Sequence, residues 1–220
     1  MNGLLINLYQ WRKKSTFRFK QKLSVGAGIL FICTHVFANP SQRDYDSIIC
    51  SAEILVMNQD LKILLKNPLN SNVRESLKLR LKSGSNSLKW MCRKNSDENQ
   101  KTFDLIRTFI FSEKFNNAER PLSLLISRIP FKFDNSYKSN PKDITDAKEI
   151  YNTYCSSCHY KDNLALPFPI YSLENMAKQQ PKDEFYARML IGIRGSEEIN
   201  FRNPLSYKDI INIRNYLISR

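Results

Sequence analysis

Two cysteines and a histidine stand in the order Cys-x-x-Cys-His in the stretch YCSSCHY, residues 154–160. The chain has five Cys and two His, so chance would produce this order with an expectation of roughly 0.001. The pattern is typical of covalent haem attachment, in which Cys155 and Cys158 form thioether bonds and His159 is the proximal ligand of the iron. Two thioether bonds fix the edge of the porphyrin, and the adjacent imidazole is then held under the iron.

Two other chemistries use the same residue types. A thioredoxin-like redox dithiol needs a strand before the motif, whereas the preceding residues DITDAKEIYNTY have the period of a short helix. A structural zinc site usually has four Cys or His ligands, and the missing two would have to come from Cys50 and Cys92, far away in the sequence. The residues therefore favour one covalent haem c over a redox dithiol or a zinc site.

Because haem of this kind is normally attached outside the cytoplasm, an export signal is expected. The first 38 residues contain six Lys or Arg and no acid, and they end in the apolar run LSVGAGILFICTHVF. Val36 and Ala38 fit the small residues of a cleavage site, which predicts a signal peptide over residues 1–38, cut after Ala38, and a periplasmic protein. The alternative is an uncleaved membrane anchor, but a run of 15 residues is shorter than the ~20 that span a bilayer.

Cleavage at this position would change the net charge of the chain and the number of histidines that could bind the iron. The formal net charge falls from +13 to +7, and His35 is lost, which leaves His159 without a histidine partner. Of the remaining charge, +6 lies in residues 39–138, which favours an acidic partner protein or an anionic membrane surface. The sequence has no nucleic-acid-binding motif, no glycine-rich phosphate loop and no nucleophile elbow, so neither nucleic acid nor a second active site is expected.

Helical periodicity predicts an all-α chain in two parts. Residues 39–133 are expected to form a small helical domain of unknown role, residues 134–142 a linker, and residues 143–220 the domain that carries the motif. Asn72 with Glu75 is expected to cap the second helix. The apolar stripes of the first domain are Cys50, Ile54, Met57, Leu61 and Leu64, then Val73, Leu77 and Leu81, then Phe103, Ile106 and Ile110.

Cys50 and Cys92 are the two thiols that remain after the motif and the leader are set aside. In an oxidising compartment a disulfide bond between them is expected, with two buried free thiols as the alternative.

The residues from Ala147 to the C-terminus resemble a class I cytochrome c domain. In that family a small residue and an aromatic residue precede the haem motif, and here Ala147, Tyr151 and Cys155 follow at steps of four. The last helix of the family matches LSYKDIINIRNYLISR, with Ser206 and Asp209 as a capping box and Tyr216 as the usual aromatic residue, and PKDEFYARMLIGI fits a middle helix. The resemblance implies a helical fold around one haem, closed by Tyr216 against Ala147 and Tyr151.

The resemblance also concerns the two axial sides of the iron. A backbone carbonyl in a proline-bearing loop accepts the N–H of the proximal imidazole in the family, and Pro167 or Pro169 is expected to carry it here. On the other side, residues 198–201 (Glu, Ile, Asn, Phe) stand where the family has its methionine. The candidates for the sixth ligand are therefore Met176 first, then Met189, then Asn200. An open iron, or a ligand from the first domain, is the remaining alternative.

These features together predict a periplasmic mono-haem electron carrier that is not an enzyme. It would carry electrons between a dehydrogenase or reductase and a respiratory acceptor, so its partner would be a redox protein. One alternative is a haem protein with an open or weakly held sixth site that binds or senses a small ligand. Another is a subunit whose helical first region anchors the haem domain to a respiratory complex.

Overall fold

The computed structural model describes residues 42–66, 68–134, 136–194, 200–201 and 203–220. Over these ranges the fold is all-helical, as predicted, apart from one small hairpin. The first four helices are α1 (Gln42–Leu65), α2 (Ser71–Met91), α3 (Asp97–Phe111) and α4 (Phe115–Arg128). They are followed by α5 (Pro141–Ile150), a π-helical turn (Tyr151–Cys155), α6 (Ser156–His159), α7 (Leu173–Gln179) and α8 (Lys182–Ile191). Strands β1 (Ile193–Arg194) and β2 (Asn200–Phe201) pair antiparallel before the last helix, α9 (Tyr207–Ile218).

Helices α1 to α4 pack around the predicted apolar stripes, all of which are buried in one cluster. The cap of α2 differs from the prediction: Asn70 is the N-cap, and its side chain accepts the backbone N–H of Asn72 at 2.9 Å. The predicted partner Glu75 pairs instead with Lys78 one turn later. The N-cap residue immediately precedes the first helical residue. Helix α2 therefore begins at Ser71, and Asn72 lies inside the helix.

None of the apolar stripes predicted from the sequence lies in helix α4. The helix buries Ala118, Leu122 and Leu125, which are spaced by four and three residues, although Pro121 stands inside it. A proline inside a helix removes one backbone hydrogen bond and disfavours the helix. Packing of this stripe in the cluster of the other three helices therefore sustains α4.

Helices α5 and α9 lie against each other and begin in the same way. Each starts with a capping box, formed by Asn140 and Asp143 for α5 and by Ser206 and Asp209, as predicted, for α9. The Tyr151 ring, directly after α5, packs on Tyr216 of α9 with 5.9 Å between the ring centroids. This contact confirms the predicted closure of the first helix of the C-terminal region against the last.

All described residues belong to one compact unit. Helix α1 packs on α8 through small and branched side chains, namely Ala52, Val56, Ala187 and Ile191. Beside them, the buried carboxylate of Asp60 pairs with Arg80 of α2 at 2.8 Å and with Arg188 of α8 at 2.9 Å. The predicted linker 134–142 therefore lies inside the unit, and its last two residues already belong to α5, which begins at Pro141.

The predicted signal peptide, residues 1–38 with a cut after Ala38, lies outside the described residues. In the part of the chain that the structure describes, no helix combines the length and the apolarity that crossing a bilayer requires.

Cys50 in α1 and Cys92, at the C-cap of α2, form a disulfide bond, as predicted. Both residues are buried in the cluster of the first four helices, and they are 42 residues apart in the sequence. The bond closes a loop of this length in the unfolded chain, which lowers the entropy of the unfolded state.

Replacement of both Cys50 and Cys92 by Ala is expected to lower the free energy of unfolding by about 4 kcal/mol, since the unfolded chain regains the freedom of that loop. Urea unfolding of the double variant beside the wild-type protein measures the loss. Chemical reduction of the wild-type protein is the independent comparison and should produce a loss of the same sign. A urea midpoint that neither treatment changes would contradict the prediction.

Candidate functional site

The Cys-x-x-Cys-His motif lies where α5 changes into α6. In the π-helical turn between them, the backbone N–H of Ser156 bonds to the carbonyl of Tyr151, five residues earlier. Such turns occur often at functional sites, because the extra residue shifts the side chains that follow onto another face. Cys155 is partly buried against the cluster of Tyr151, whereas Cys158 is exposed and His159 is half-buried.

The imidazole of His159 is held by the backbone. Its Nδ1 lies 2.8 Å from the carbonyl oxygen of Tyr171. Since a carbonyl oxygen accepts but does not donate, Nδ1 must carry the proton, and Nε2 of the neutral ring keeps a free lone pair. This is the tautomer that a metal-binding histidine needs.

The carbonyl that contacts His159 belongs to neither predicted proline. It is the carbonyl of Tyr171, two residues after Pro169. The reason is the closure of the loop: Asn163 and Ile170 exchange two backbone hydrogen bonds, at 2.8 and 3.0 Å, so that both prolines lie between the two bridged residues. Tyr171 is the first residue past this closure, next to the histidine.

Two further contacts fix this loop, and sequence reasoning missed both. Asp162 accepts the backbone N–H of Ser172 at 2.6 Å. At the tip, the side-chain amide of Asn72 in α2 donates to the carbonyl of Ala165 at 3.1 Å. An aspartate three residues after the motif histidine only weakly indicates a contact with the loop. The contact between Asn72 and Ala165 joins residues 93 apart and has no signal in the sequence.

The structure weighs against the two rival chemistries of the motif. Cys50 and Cys92, which would have to supply the further ligands of a zinc ion, are bonded to each other. Burial raises the pKa of the Cys155 thiol, whereas the attacking cysteine of a redox dithiol has a lowered pKa. The motif also follows helix α5 and not a strand.

Apolar side chains lie exposed beside the motif. Tyr154 and Tyr160 flank the cysteines and the histidine and are 78% and 68% exposed, and Phe168 in the following loop is 50% exposed. Leu164 and Leu166 of the same loop are also exposed. Two thiols, an imidazole with a free Nε2 and a large apolar surface are the groups that a covalent haem requires, so the residues present fit it.

The candidates for the sixth ligand have different surroundings. Met189 is buried in the cluster that contains Tyr151 and Phe185, and Met176 is half-buried at the edge of the same cluster, which Cys155 also contacts. Asn200 lies in β2, and its side chain is outside the described part of the chain. Ligation by Met176, Met189 or Asn200 stays a prediction.

Comparison of the chain with protein-family models, with curated proteins and with solved structures finds no match.

Asp143 holds the beginning of α5 against α9. Its carboxylate accepts hydrogen bonds from the backbone N–H of Asn140, at 3.0 Å, and from the Tyr137 hydroxyl, and it pairs with Lys208 of α9 at 2.9 Å. These contacts, the N–H of Asn140 above all, lower the pKa of Asp143 to about 2. Because the pKa in the unfolded chain is about 3.9, the stabilisation is present above that value and is lost as the pH falls towards 2.

Asp143→Asn is therefore expected to flatten the dependence of the unfolding free energy on pH between about pH 4 and pH 2, because the amide does not titrate. Unfolding curves at a series of pH values measure this. Asp146→Asn, at an exposed position of the same helix, is the matched control and should keep the wild-type profile. An Asp143→Asn profile as steep as that of the control would contradict the assignment.

Proposed function

We propose that the protein is a periplasmic mono-haem c-type cytochrome that carries single electrons between a dehydrogenase or reductase and a respiratory acceptor. Cys155 and Cys158 would form the two thioether bonds, and His159 would bind the iron through Nε2. When bound, the haem supplies a site that takes up and releases one electron by the change between ferric and ferrous iron.

The observation that carries the proposal is the hydrogen bond between His159 Nδ1 and the Tyr171 carbonyl oxygen, at 2.8 Å. It fixes the tautomer and the orientation of a histidine that stands directly after two unpaired thiols, Cys155 and Cys158. A histidine that binds a metal through one ring nitrogen usually donates the N–H of the other to a carbonyl, a carboxylate or water. The same bond would make the imidazole a stronger electron donor.

The surrounding helices support this role. Tyr151 and Tyr216 join the helix before the motif to the last helix, and the π-helical turn presents the cysteines at the surface of that pair. Burial raises the pKa of the Cys155 thiol, which favours its protonated form. The exposed apolar side chains around the motif would be covered by the porphyrin.

The proposed partner is an acidic redox protein. After removal of the leader the chain would carry a formal charge of +7, most of it before residue 139. A positive surface raises the rate of encounter with a negative partner, and salt weakens the effect.

Replacement of Cys155 or Cys158 by Ser is expected to leave one thioether bond, and replacement of both to leave none. Haem should then stay bound to the single variants through the remaining thioether bond and be wholly extractable with acid acetone from the double variant. Ser157→Ala, in the spacer of the motif, is the matched control and should retain all of its haem. Full retention of covalent haem by the double variant would refute the attachment site.

A second function rests on the missing methionine before the last helix, where residues 198–201 have no thioether. A haem protein with an open or weakly held sixth site would bind or sense a small ligand instead of carrying electrons. The two functions share the attachment site and differ only in the sixth ligand.

The optical spectrum of the reduced protein with and without carbon monoxide separates the two functions. Electron transfer predicts a low-spin spectrum that the gas leaves unchanged, since a thioether holds the sixth position. Met176→Ala is then expected to remove the far-red sulfur-to-iron band of the oxidised protein and to admit carbon monoxide, with Met189→Ala as the comparison variant. Rapid binding of the gas by the wild-type protein would instead establish the open site.

A further inference from the structure

One peptide group beside the motif forms hydrogen bonds through both its carbonyl oxygen and its N–H. The peptide between Tyr171 and Ser172 has its carbonyl oxygen 2.8 Å from His159 Nδ1 and donates its N–H to Oδ1 of Asp162 at 2.6 Å. The two partners of this peptide, His159 and Asp162, are three residues apart in the sequence. The peptide is thus held between the histidine and the carboxylate.

Asp162 makes a further contact that fixes its own position. Its Oδ2 accepts the side-chain amide of Asn175 at 3.4 Å, in the first turn of α7. Ser172 is buried and is the N-cap of that helix, with its hydroxyl accepting the backbone N–H of Asn175 at 3.3 Å. The carboxylate therefore ties the loop after the motif to the beginning of α7, at the residue next to Tyr171.

The two hydrogen bonds of this peptide act in the same direction. A hydrogen bond to an ionised acceptor is shorter and stronger than a neutral one, and it draws electron density through the peptide towards the carbonyl oxygen. Hydrogen bonds that share a polarised group strengthen each other. The Tyr171 carbonyl is then a better acceptor for His159 Nδ1–H, and the imidazole gains electron density at Nε2.

We propose that Asp162 is a positioning residue that acts on His159 through the Tyr171–Ser172 peptide and lowers the reduction potential of the iron. The inference rests on the proposed function, since it concerns a haem bound at Cys155, Cys158 and His159. A more basic proximal ligand stabilises the oxidised iron, and hydrogen bonds to the ring nitrogen that does not bind the metal are a known means of tuning such sites.

The first test changes the acceptor. Asp162→Asn keeps a side-chain oxygen but removes the charge, and Asp162→Ala removes both. The reduction potential of the haem-loaded protein is expected to rise in both variants, more in Asp162→Ala than in Asp162→Asn. Asp146→Asn also removes one negative charge, from an exposed position of α5, and measures the general effect of charge on the potential.

The second test removes the donor and leaves the carboxylate in place. Ser172 has φ of −60°, close to the value of about −65° that proline imposes, so Ser172→Pro deletes the N–H at a compatible position. Ser172→Ala is the matched control, because it loses the same hydroxyl but keeps the N–H. The potential of Ser172→Pro is expected to lie above that of Ser172→Ala, and the His159 Nδ1 proton should exchange faster with solvent in its NMR spectrum.

The outcomes separate the inference from the function on which it rests. Potentials of Asp162→Ala and Ser172→Pro that match those of their controls, in protein whose covalent haem is verified by mass, would overturn the inference alone. A wild-type chain exported and purified without covalent haem would overturn the proposed function and the inference together. A rise in both series, beyond that of the controls, supports the inference.

Discussion

The geometry of the motif depends on one hydrogen bond, in which Nδ1 of His159 donates its proton to a backbone carbonyl oxygen 2.8 Å away. The acceptor is the Tyr171 carbonyl, twelve residues after His159. A loop of this length is held in place only if its ends are joined, and the Asn163–Ile170 bridge and the Asp162 carboxylate join them. The geometry around the histidine thus arises from backbone hydrogen bonds and from the Asp162 carboxylate, with the two prolines between the bridged residues.

The helices extend this local order to the whole unit. The capping boxes of α5 and α9 fix where each helix begins, and the Tyr151–Tyr216 contact joins them directly before the motif. Helices α1 and α2 add a second support, since Asn72 of α2 bonds to the loop tip and Asp60 of α1 pairs with Arg188 of α8. Substitution of either partner would leave the other charge buried without compensation, which is strongly destabilising.

Features with a short sequence period could be predicted, whereas most features that depend on distant contacts could not. The apolar stripes of α1 to α3 and the Ser206–Asp209 cap follow from spacing and residue type. The Cys50–Cys92 bond is expected for the two remaining thiols in an oxidising compartment, and the Tyr151–Tyr216 contact is implied by the family resemblance. The Tyr171 carbonyl could not be located in this way, because any residue can supply a backbone carbonyl and the loop closure decides which one does. The packing of α1 on α8 was missed for a similar reason, since small residues such as Ala52 and Ala187 carry no periodic signal.

The central claim is that Cys155 and Cys158 carry one haem with His159 beneath it, and peptide mass spectrometry tests it most directly. The full chain is expressed in a host that attaches haem c, purified and digested with trypsin, which releases residues 149–161 as one peptide. The account predicts that this peptide carries the mass of one haem and that both cysteines resist alkylation. Recovery of the peptide without haem, with both cysteines alkylated, would contradict it.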